Sequence, residues 1–84
     1  MNKQQQKTLE AIFKTPVPSN LEWRRIENLL ISLGARVVEG KGSRVRFELQ
    51  NVVATFHRPH PRKEAKPYQV RDARRFLEQL GVKP

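Results

Sequence analysis

Hydrophobic residues recur with helical spacing in three segments of the chain. The first segment, Thr8–Phe13, places Leu9 and Ile12 on one side of a short helix. Pro16 ends this helix, because a proline pushes the residue before it out of the α region. We expect the glutamines at positions 4–6 to form a frayed lead-in. The pattern therefore predicts a short N-terminal helix ahead of the main fold.

The second and third helical segments have longer apolar stripes. Ser19–Leu33 begins with Ser19 and Glu22 at capping-box spacing, and Gly34 is suited to end it in the left-handed conformation. Tyr68–Leu80 is the third segment. The stripes consist of Trp23, Ile26, Leu29, Leu30 and Leu33 in the second segment, and Val70, Ala73, Phe76, Leu77 and Leu80 in the third.

Strict alternation of apolar and polar residues predicts β-strands between these helices. Ser43–Leu49 alternates in this way, and Val52–His57 continues the alternation after Gln50 and Asn51. Asparagine tolerates the left-handed conformation that a two-residue hairpin turn requires, so these strands should be antiparallel neighbours. A short strand, Ala35–Glu39, is predicted ahead of this hairpin.

The predicted turn fixes which residues face each other across the hairpin. Leu49 then lies opposite Val52, and the following pairs on that face are also apolar. The other face pairs Arg44 with His57 and places Arg46 beside them. A slip by one residue would bury the arginines, so the pattern favours this assignment of the two faces.

The predicted order is helix, helix, three antiparallel strands and helix. This order indicates an α+β fold in which the helices cover one face of the sheet. We expect residues 1–18 to form an N-terminal helical extension with a Pro-rich linker, and residues 19–84 to form the main domain. The exposed face of the sheet would then carry Arg44, Arg46 and His57.

Basic residues are concentrated in the second half of the chain. The chain has 17 Lys and Arg against 8 Asp and Glu, a net charge of +9, and residues 41–84 contribute +7 of it. Such a surface attracts phosphate backbones through counterion release. A charged face that only confers solubility is the simpler alternative. Anionic lipid and DNA are less favoured, since no helix pairs a basic face with a large exposed apolar face and no helix-turn-helix is evident.

The composition also bears on compartment and cofactors. The chain has no cysteine, so disulfides and thiolate metal sites are excluded. It has no apolar signal core and no apolar run as long as a membrane span. We therefore expect a cytoplasmic protein that has no membrane contact, needs no cofactor and is a monomer when free.

Two histidines are the residues best suited to move protons, and arginine is suited to bind phosphate. In RNA, a 2′-hydroxyl attacks the adjacent phosphate when a base takes its proton and cations hold the phosphate. His57 on the exposed face and His60 in the following loop are therefore candidate catalytic residues. The alternative interpretations are that His57 is a solvated strand residue and that His60 is a loop residue whose ring packs on prolines. Without a third ligand, the two histidines do not indicate a metal site.

The order of motifs resembles the HicA family of toxins. Gly40-Lys41-Gly42-Ser43 precedes two strands, Pro59-His60-Pro61-Arg62-Lys63 follows them, and the last helix ends Phe76-Leu77-Glu78-Gln79-Leu80-Gly81. The resemblance covers roughly residues 20–82. It implies a double-stranded-RNA-binding-domain-like α-β-β-β-α fold and metal-independent cleavage of mRNA. It also implies a HicB-type antitoxin that binds and masks the toxin.

One position departs from the family pattern. The family has a histidine, taken as catalytic, directly after Gly-Ser, whereas Arg44 follows Ser43 here. Arginine does not release its proton near neutral pH. The predicted register places His57 opposite Arg44, so a relocated imidazole would stand near the family's position. The alternative is a non-catalytic RNA-binding or protein-interaction module on the same fold, and Arg44 gives that alternative weight.

The residues expected to bind RNA lie on the exposed face of the sheet and in the loops beside it. They are Lys41, Ser43, Arg44, Arg46, Arg58, Arg62, Lys63 and Lys66. On the last helix we expect Arg74 and Arg75 to face solvent, balanced by Glu78 and Asp72 respectively.

Overall fold

The structure is a computed structural model that describes residues 1–84. Its elements in chain order are α1 (Lys3–Ile12), α2 (Trp23–Ser32), β1 (Arg36–Glu39), β2 (Arg44–Leu49), β3 (Val52–His57) and α3 (Pro67–Gln79). The strands form one antiparallel sheet in the order β1-β2-β3. After the additional α1, the chain follows the predicted α-β-β-β-α order. None of the helices combines the length and apolar character that a membrane span requires.

The hairpin between β2 and β3 has the predicted register. Gln50 and Asn51 have positive φ angles of 51° and 66°. This backbone twist matches that of the flanking strands, which is why two residues suffice for the turn. Arg44 pairs with His57 and Leu49 with Val52. The sheet therefore turns Val45, Phe47 and Phe56 to the helices and its arginines to solvent, as the alternation predicts, while Val53 lies on the solvent face.

The core lies between the helices and the inner face of the sheet. The Trp23 ring of α2 packs on Phe47 and Phe56 of the sheet, with centroid separations of 6.3 and 4.9 Å. The helix α1 adds Leu9 and Ile12 to the same core. Of the residues in the two predicted stripes, Leu33 and Leu80 are half-buried and the others are buried. Phe47 and Phe56, on the inward face of the hairpin, are buried as well.

The start of α2 differs from the prediction. The helix begins at Trp23, and Glu22 makes no side-chain cap. The preceding segment is extended instead, because it pairs with the loop before α3. The Trp23 N–H donates to the Lys63 carbonyl at 2.9 Å, and the Ala65 N–H donates to the Leu21 carbonyl at 2.8 Å. The predicted capping box at Ser19 is therefore wrong.

The helix α1 is longer than predicted because its start is capped. The Gln5 N–H donates to Asn2 Oδ1 at 2.8 Å, and the Asn2 N–H donates to Gln5 Oε1 at 3.0 Å. These reciprocal hydrogen bonds satisfy two amide donors that the helix leaves free. The glutamines at 4–6 thus belong to the helix, and the expectation of a frayed lead-in is wrong.

Arg74 joins α3 to the end of α1. Its Nε donates to the Ile12 carbonyl at 2.8 Å and its Nη2 to the Lys14 carbonyl at 2.9 Å. Its guanidinium also lies 5.9 Å from the centroid of the Phe13 ring. The expected pairing of Arg74 with Glu78 is therefore wrong, because Arg74 satisfies free carbonyls at the end of α1. Arg75 does pair with Asp72, at 3.5 Å.

Candidate active site

Arg44 and His57 are neighbours across the β2–β3 hairpin on the exposed face of the sheet. Arg46 and Thr55 form the next pair on that face. All four side chains are exposed to solvent. The structure thus brings an imidazole and two guanidinium groups together on one surface that no helix covers.

Ser43 and the end of β3 are tied to each other. Ser43 Oγ lies 3.5 Å from His57 Nδ1, at the outer limit of hydrogen-bond distance. The Arg58 N–H donates to the Ser43 carbonyl at 2.8 Å and extends the strand pairing by one residue. The hydroxyl faces Nδ1, and the other ring nitrogen, Nε2, makes no hydrogen bond within the protein.

The connection between β1 and β2 gives Arg44 its position. A Cβ at Gly40 would stand 3.1 Å from the Arg44 Cβ and 3.2 Å from its Cγ, so glycine leaves room for the arginine stem. Gly42 has a φ of 61°, which glycine adopts without strain. The Arg44 N–H donates to the Lys41 carbonyl at 3.2 Å and closes the turn. The turn therefore holds Ser43 and Arg44 beside His57.

A shallow depression of about 240 Å³ opens on this surface. Arg44 has no salt-bridge partner, whereas Arg46 Nε donates to Glu48 Oε2 at 2.7 Å. An exposed ion pair is worth about 1 kcal/mol or less, so Arg46 can exchange this carboxylate for a phosphate. The residues that line the depression are Val38, Glu39, Gly40, Arg44, Arg46 and Thr55.

Arg58 points away from this surface and contacts two carboxylates. It donates to Glu27 from Nε at 3.1 Å and from Nη2 at 2.9 Å. It donates to Glu39 from Nη1 at 2.7 Å and from Nη2 at 3.0 Å. The hydrogen bond from Arg58 lowers the pKa of Glu39, and the hydrogen bonds to Glu39 and Glu27 raise the pKa of Arg58.

These contacts change the interpretation of Arg58. Sequence reasoning placed it among the RNA-binding residues, but the two carboxylates neutralise its charge and occupy its donors. Trp23 Nε1 also donates to Glu27 Oε1 at 2.8 Å, which fixes the carboxylate that Arg58 meets. Arg58 therefore links α2, β1 and the end of β3. The sequence did not reveal this role because Glu27 and Glu39 are distant from Arg58 along the chain.

Gln69 is a buried polar residue that sequence reasoning missed. Its Nε2 donates to the His57 carbonyl at 2.6 Å, and its Oε1 accepts from the Lys66 N–H at 3.0 Å. These bonds fix the start of α3 against the end of β3, so they position the backbone of His57. A signal was available, because a glutamine three residues after a helix cap commonly bonds back to the cap.

His60 lies in the loop after β3, apart from the Arg44–His57 pair. It is exposed and borders a second depression of about 230 Å³, formed with Pro59, Pro61 and Lys66 among others. The loop is held by a β-bridge between Glu22 and Glu64. The candidate cations thus fall into two groups. Arg44 and Arg46 lie on the sheet face of His57 and Lys41 lies in the adjoining turn, whereas Arg62, Lys63 and Lys66 belong to the loop of His60.

A comparison with known protein families finds a match over most of the chain. A family model described as "HicA toxin of bacterial toxin-antitoxin" matches residues 23–82, which is 60 of the 84 residues. The chain therefore falls in the class of toxins from bacterial toxin–antitoxin systems. Within that class it belongs to the HicA family. No curated protein and no solved structure matches the chain at a comparable level.

The matched region bears directly on the candidate site. It contains α2, all three strands, α3 and both histidines, whereas α1 lies outside it. The expected resemblance is thereby confirmed at the level of the family. Arg44 and His57 both lie within the matched region. The protein is thus a family member that has Arg44 where the family pattern has a histidine.

Proposed function

We propose that this protein is a metal-independent endoribonuclease that cleaves mRNA in the cytoplasm as the toxin of a type II toxin–antitoxin pair. The observation that supports this most is the cross-strand pair of Arg44 and His57 in a HicA family member. It puts an imidazole beside the position where the family has its histidine. The proposal extends the family assignment to a reaction and a substrate.

The reaction uses groups on the exposed face of the sheet. Arg44 and Arg46 bind the scissile phosphate, since guanidinium groups match phosphate oxygens in pairs. His57 moves the proton between the 2′-hydroxyl and the leaving oxygen, and Ser43 Oγ lies 3.5 Å from its Nδ1. His60 is the second candidate for proton transfer. Backbone contacts through Gln69 and Arg58 hold His57 in place.

RNA flanking the cleaved bond would contact the remaining exposed cations. Lys41 lies in the turn beside Ser43, and Arg62, Lys63 and Lys66 follow in the loop before α3. Residues 19–84 contain all of these groups, and we propose residues 1–18 as an extension that supports them. The free protein is proposed to be a monomer. A HicB-type antitoxin would cover the same basic surface and exclude RNA from it.

Paired expression experiments test this function in the cell. The protein is induced alone and together with the product of the adjacent reading frame, and growth and mRNA decay are followed. Growth arrest with mRNA decay, relieved by the neighbouring protein, is expected. Expression of the His57→Ala variant should not arrest growth. Wild-type expression without arrest or decay would contradict the proposal.

A cleavage assay with purified protein tests the chemistry. Single-stranded RNA is incubated with the protein in the presence of EDTA, and the products are examined for the 2′,3′-cyclic phosphate that 2′-hydroxyl attack leaves. Cleavage that persists in EDTA is expected. Cleavage that needs added Mg²⁺ would contradict a metal-independent reaction.

A non-catalytic RNA-binding or protein-interaction module is the second candidate. Arg44 favours it, because the family's proton carrier is absent from its usual position and arginine does not replace it. The same surface would then bind RNA without cutting it. RNA binding by purified wild type together with intact RNA after long incubation would establish this alternative.

A further inference from the structure

Tyr68 is the one aromatic residue of the protein whose ring lies largely open to solvent. It is 49 % exposed, whereas Trp23, Phe47, Phe56 and Phe76 are buried at 5 % or less. Phe13 is half-buried beneath the guanidinium of Arg74. Core packing therefore accounts for the other aromatic rings and leaves that of Tyr68 without a partner.

The position of Tyr68 connects it to the candidate site. It lies in the first turn of α3 and is followed by Gln69, whose side chain donates to the His57 carbonyl at 2.6 Å. The start of α3 therefore adjoins the end of β3. Further along the helix, Asp72 and Arg75 line a groove with Val53 and Thr55 of β3. The helix thus runs antiparallel to β3, and Tyr68 lies in the turn of α3 that adjoins the His57 end of the strand.

The charges around Tyr68 are mostly positive. Helical spacing puts Arg71, Asp72 and Arg75 on the same face as Tyr68, and Lys66 lies just before it. Lys66 and Arg71 form no salt bridge, while Asp72 is paired with Arg75 at 3.5 Å. An exposed aromatic ring between free cations is the combination that proteins use to stack unpaired bases of single-stranded nucleic acid.

We infer that Tyr68 is a stacking platform for an unpaired RNA base next to the phosphate held at Arg44 and His57. This inference rests on the proposed function, since it adds a base contact to the same RNA-binding surface. A protein partner would also use an exposed tyrosine. The flanking cations and the closeness to His57 favour RNA. Because every base has an aromatic face, the contact selects single-stranded RNA over duplex and does not select a particular base.

Binding of a nuclease-resistant RNA tests the inference. The probe is a single-stranded 2′-O-methyl RNA of mixed sequence, which lacks the attacking hydroxyl, and affinity is measured by fluorescence anisotropy. Tyr68→Ala should weaken binding by about tenfold or more, because base–aromatic stacking is a strong contact. Tyr68→Phe keeps the ring and should bind within about twofold of wild type. Ile31→Ala is the matched control, since Ile31 is a 46 % exposed apolar residue on α2.

The same probe annealed to its complement separates stacking from charge. Tyr68→Ala should bind this duplex as wild type does, because its bases are not free to stack. The chain has a single tyrosine, so its ring proton signals in NMR spectra are assigned directly. They should move upfield when the single strand is added. Circular dichroism of each variant checks that the fold is retained.

The outcomes distinguish this inference from the proposed function. If wild type binds the single strand and Tyr68→Ala binds it equally well, the stacking role is overturned while the RNA-binding surface remains. The inference is also overturned if Tyr68→Ala weakens only the complex with the antitoxin. If wild type binds no RNA at all, the proposed function and the stacking role fail together.

Discussion

The guanidinium of Arg58 forms two hydrogen bonds with the carboxylate of Glu27 and so fastens the end of β3 to α2. Both side chains are largely withdrawn from solvent, with exposures of 32 % and 19 %. Replacing Arg58 by Met leaves the Glu27 carboxylate without its cation, and we expect a loss of about 1–3 kcal/mol in the free energy of unfolding.

Urea denaturation followed by circular dichroism measures this loss. The matched control is Arg62→Met, because Arg62 is 82 % exposed and its nearest carboxylate oxygen is 3.8 Å away. Arg62→Met should change stability by no more than about 0.5 kcal/mol. Equal stability of Arg58→Met and wild type would show that the contacts of Arg58 with Glu27 and Glu39 contribute nothing to the stability of the fold.

Glu39 makes the stability of the fold sensitive to acid. Arg58 lowers the pKa of Glu39 below its usual value of 4.5 in the folded protein. The stabilisation from this shift is present above pH 4.5 and is lost as the pH falls through the lower folded pKa. Unfolding free energy measured from pH 7 downward should therefore decrease below about pH 4.5.

Glu39→Gln removes this titration and should flatten the acid part of the curve. Glu78→Gln is the control, since Glu78 is exposed and forms no salt bridge. The effect should shrink in high salt, because Glu39 is exposed to solvent. Curves for Glu39→Gln and wild type with the same slope would contradict this assignment.

The two histidines should differ in their effect on RNA cleavage. His57→Ala is expected to abolish cleavage and growth arrest while RNA binding stays nearly unchanged, because the exposed arginines still hold the phosphate. His60→Ala should have a smaller effect, since His60 lies in a different loop. Single-turnover cleavage rates and anisotropy measure the two quantities separately. Undiminished cleavage after both substitutions would place the reaction elsewhere.

The salt dependence of RNA binding should report on Arg44. For single-stranded RNA, the slope of log K against log salt falls by about 0.7 for each phosphate that the protein no longer neutralises, and Arg44→Gln leaves one such phosphate without its cation. Arg24→Gln removes an exposed positive charge from α2, on the other side of the sheet, and should leave the slope unchanged. Equal slopes for Arg44→Gln and wild type would argue against a phosphate at Arg44.

The hydrogen bonds from Arg74 of α3 to the end of α1 should stabilise the fold measurably. Arg74→Ala frees two carbonyls that its guanidinium now satisfies, and a loss of about 1–3 kcal/mol is expected. Hydrogen exchange should show faster opening of α1, with α2 and the sheet still protected. Arg71→Ala serves as the control, because Arg71 is exposed and has no such contacts. Unchanged exchange in α1 would mean that the packing of Leu9 and Ile12 alone keeps α1 from opening.

The sheet was predictable in detail because its signals are local. Alternation and a two-residue turn together determine the pairing of Arg44 with His57, and the structure shows that pairing. The start of α2 was not predictable from the same kind of signal. Its extended lead-in results from hydrogen bonds to Lys63 and Ala65, which are remote along the chain.

The same distinction applies to the candidate site. Arg58 and Arg44 look alike in the sequence, since both are cations at the ends of strands. Arg58 follows the outward-facing His57 and so points to the inner side, where it meets Glu27 and Glu39. Arg74 likewise looks like a surface residue of α3, and only its packing against α1 reveals its hydrogen bonds. Long-range partners separate structural cations from those free to bind phosphate.

The hydrogen bond between Arg74 and Ile12 spans 62 positions of the chain, so it joins a segment that is synthesised early to one that is synthesised late. While the ribosome is still making α3, Leu9 and Ile12 lack part of the core that covers them, and Gln69 has yet to meet His57. The strands pair over short distances and form early, whereas closing the long loop comes last. A polypeptide released before α3 is complete would lack the Gln69 hydrogen bond to the His57 carbonyl, and its partly uncovered core would make it an easy target for proteases.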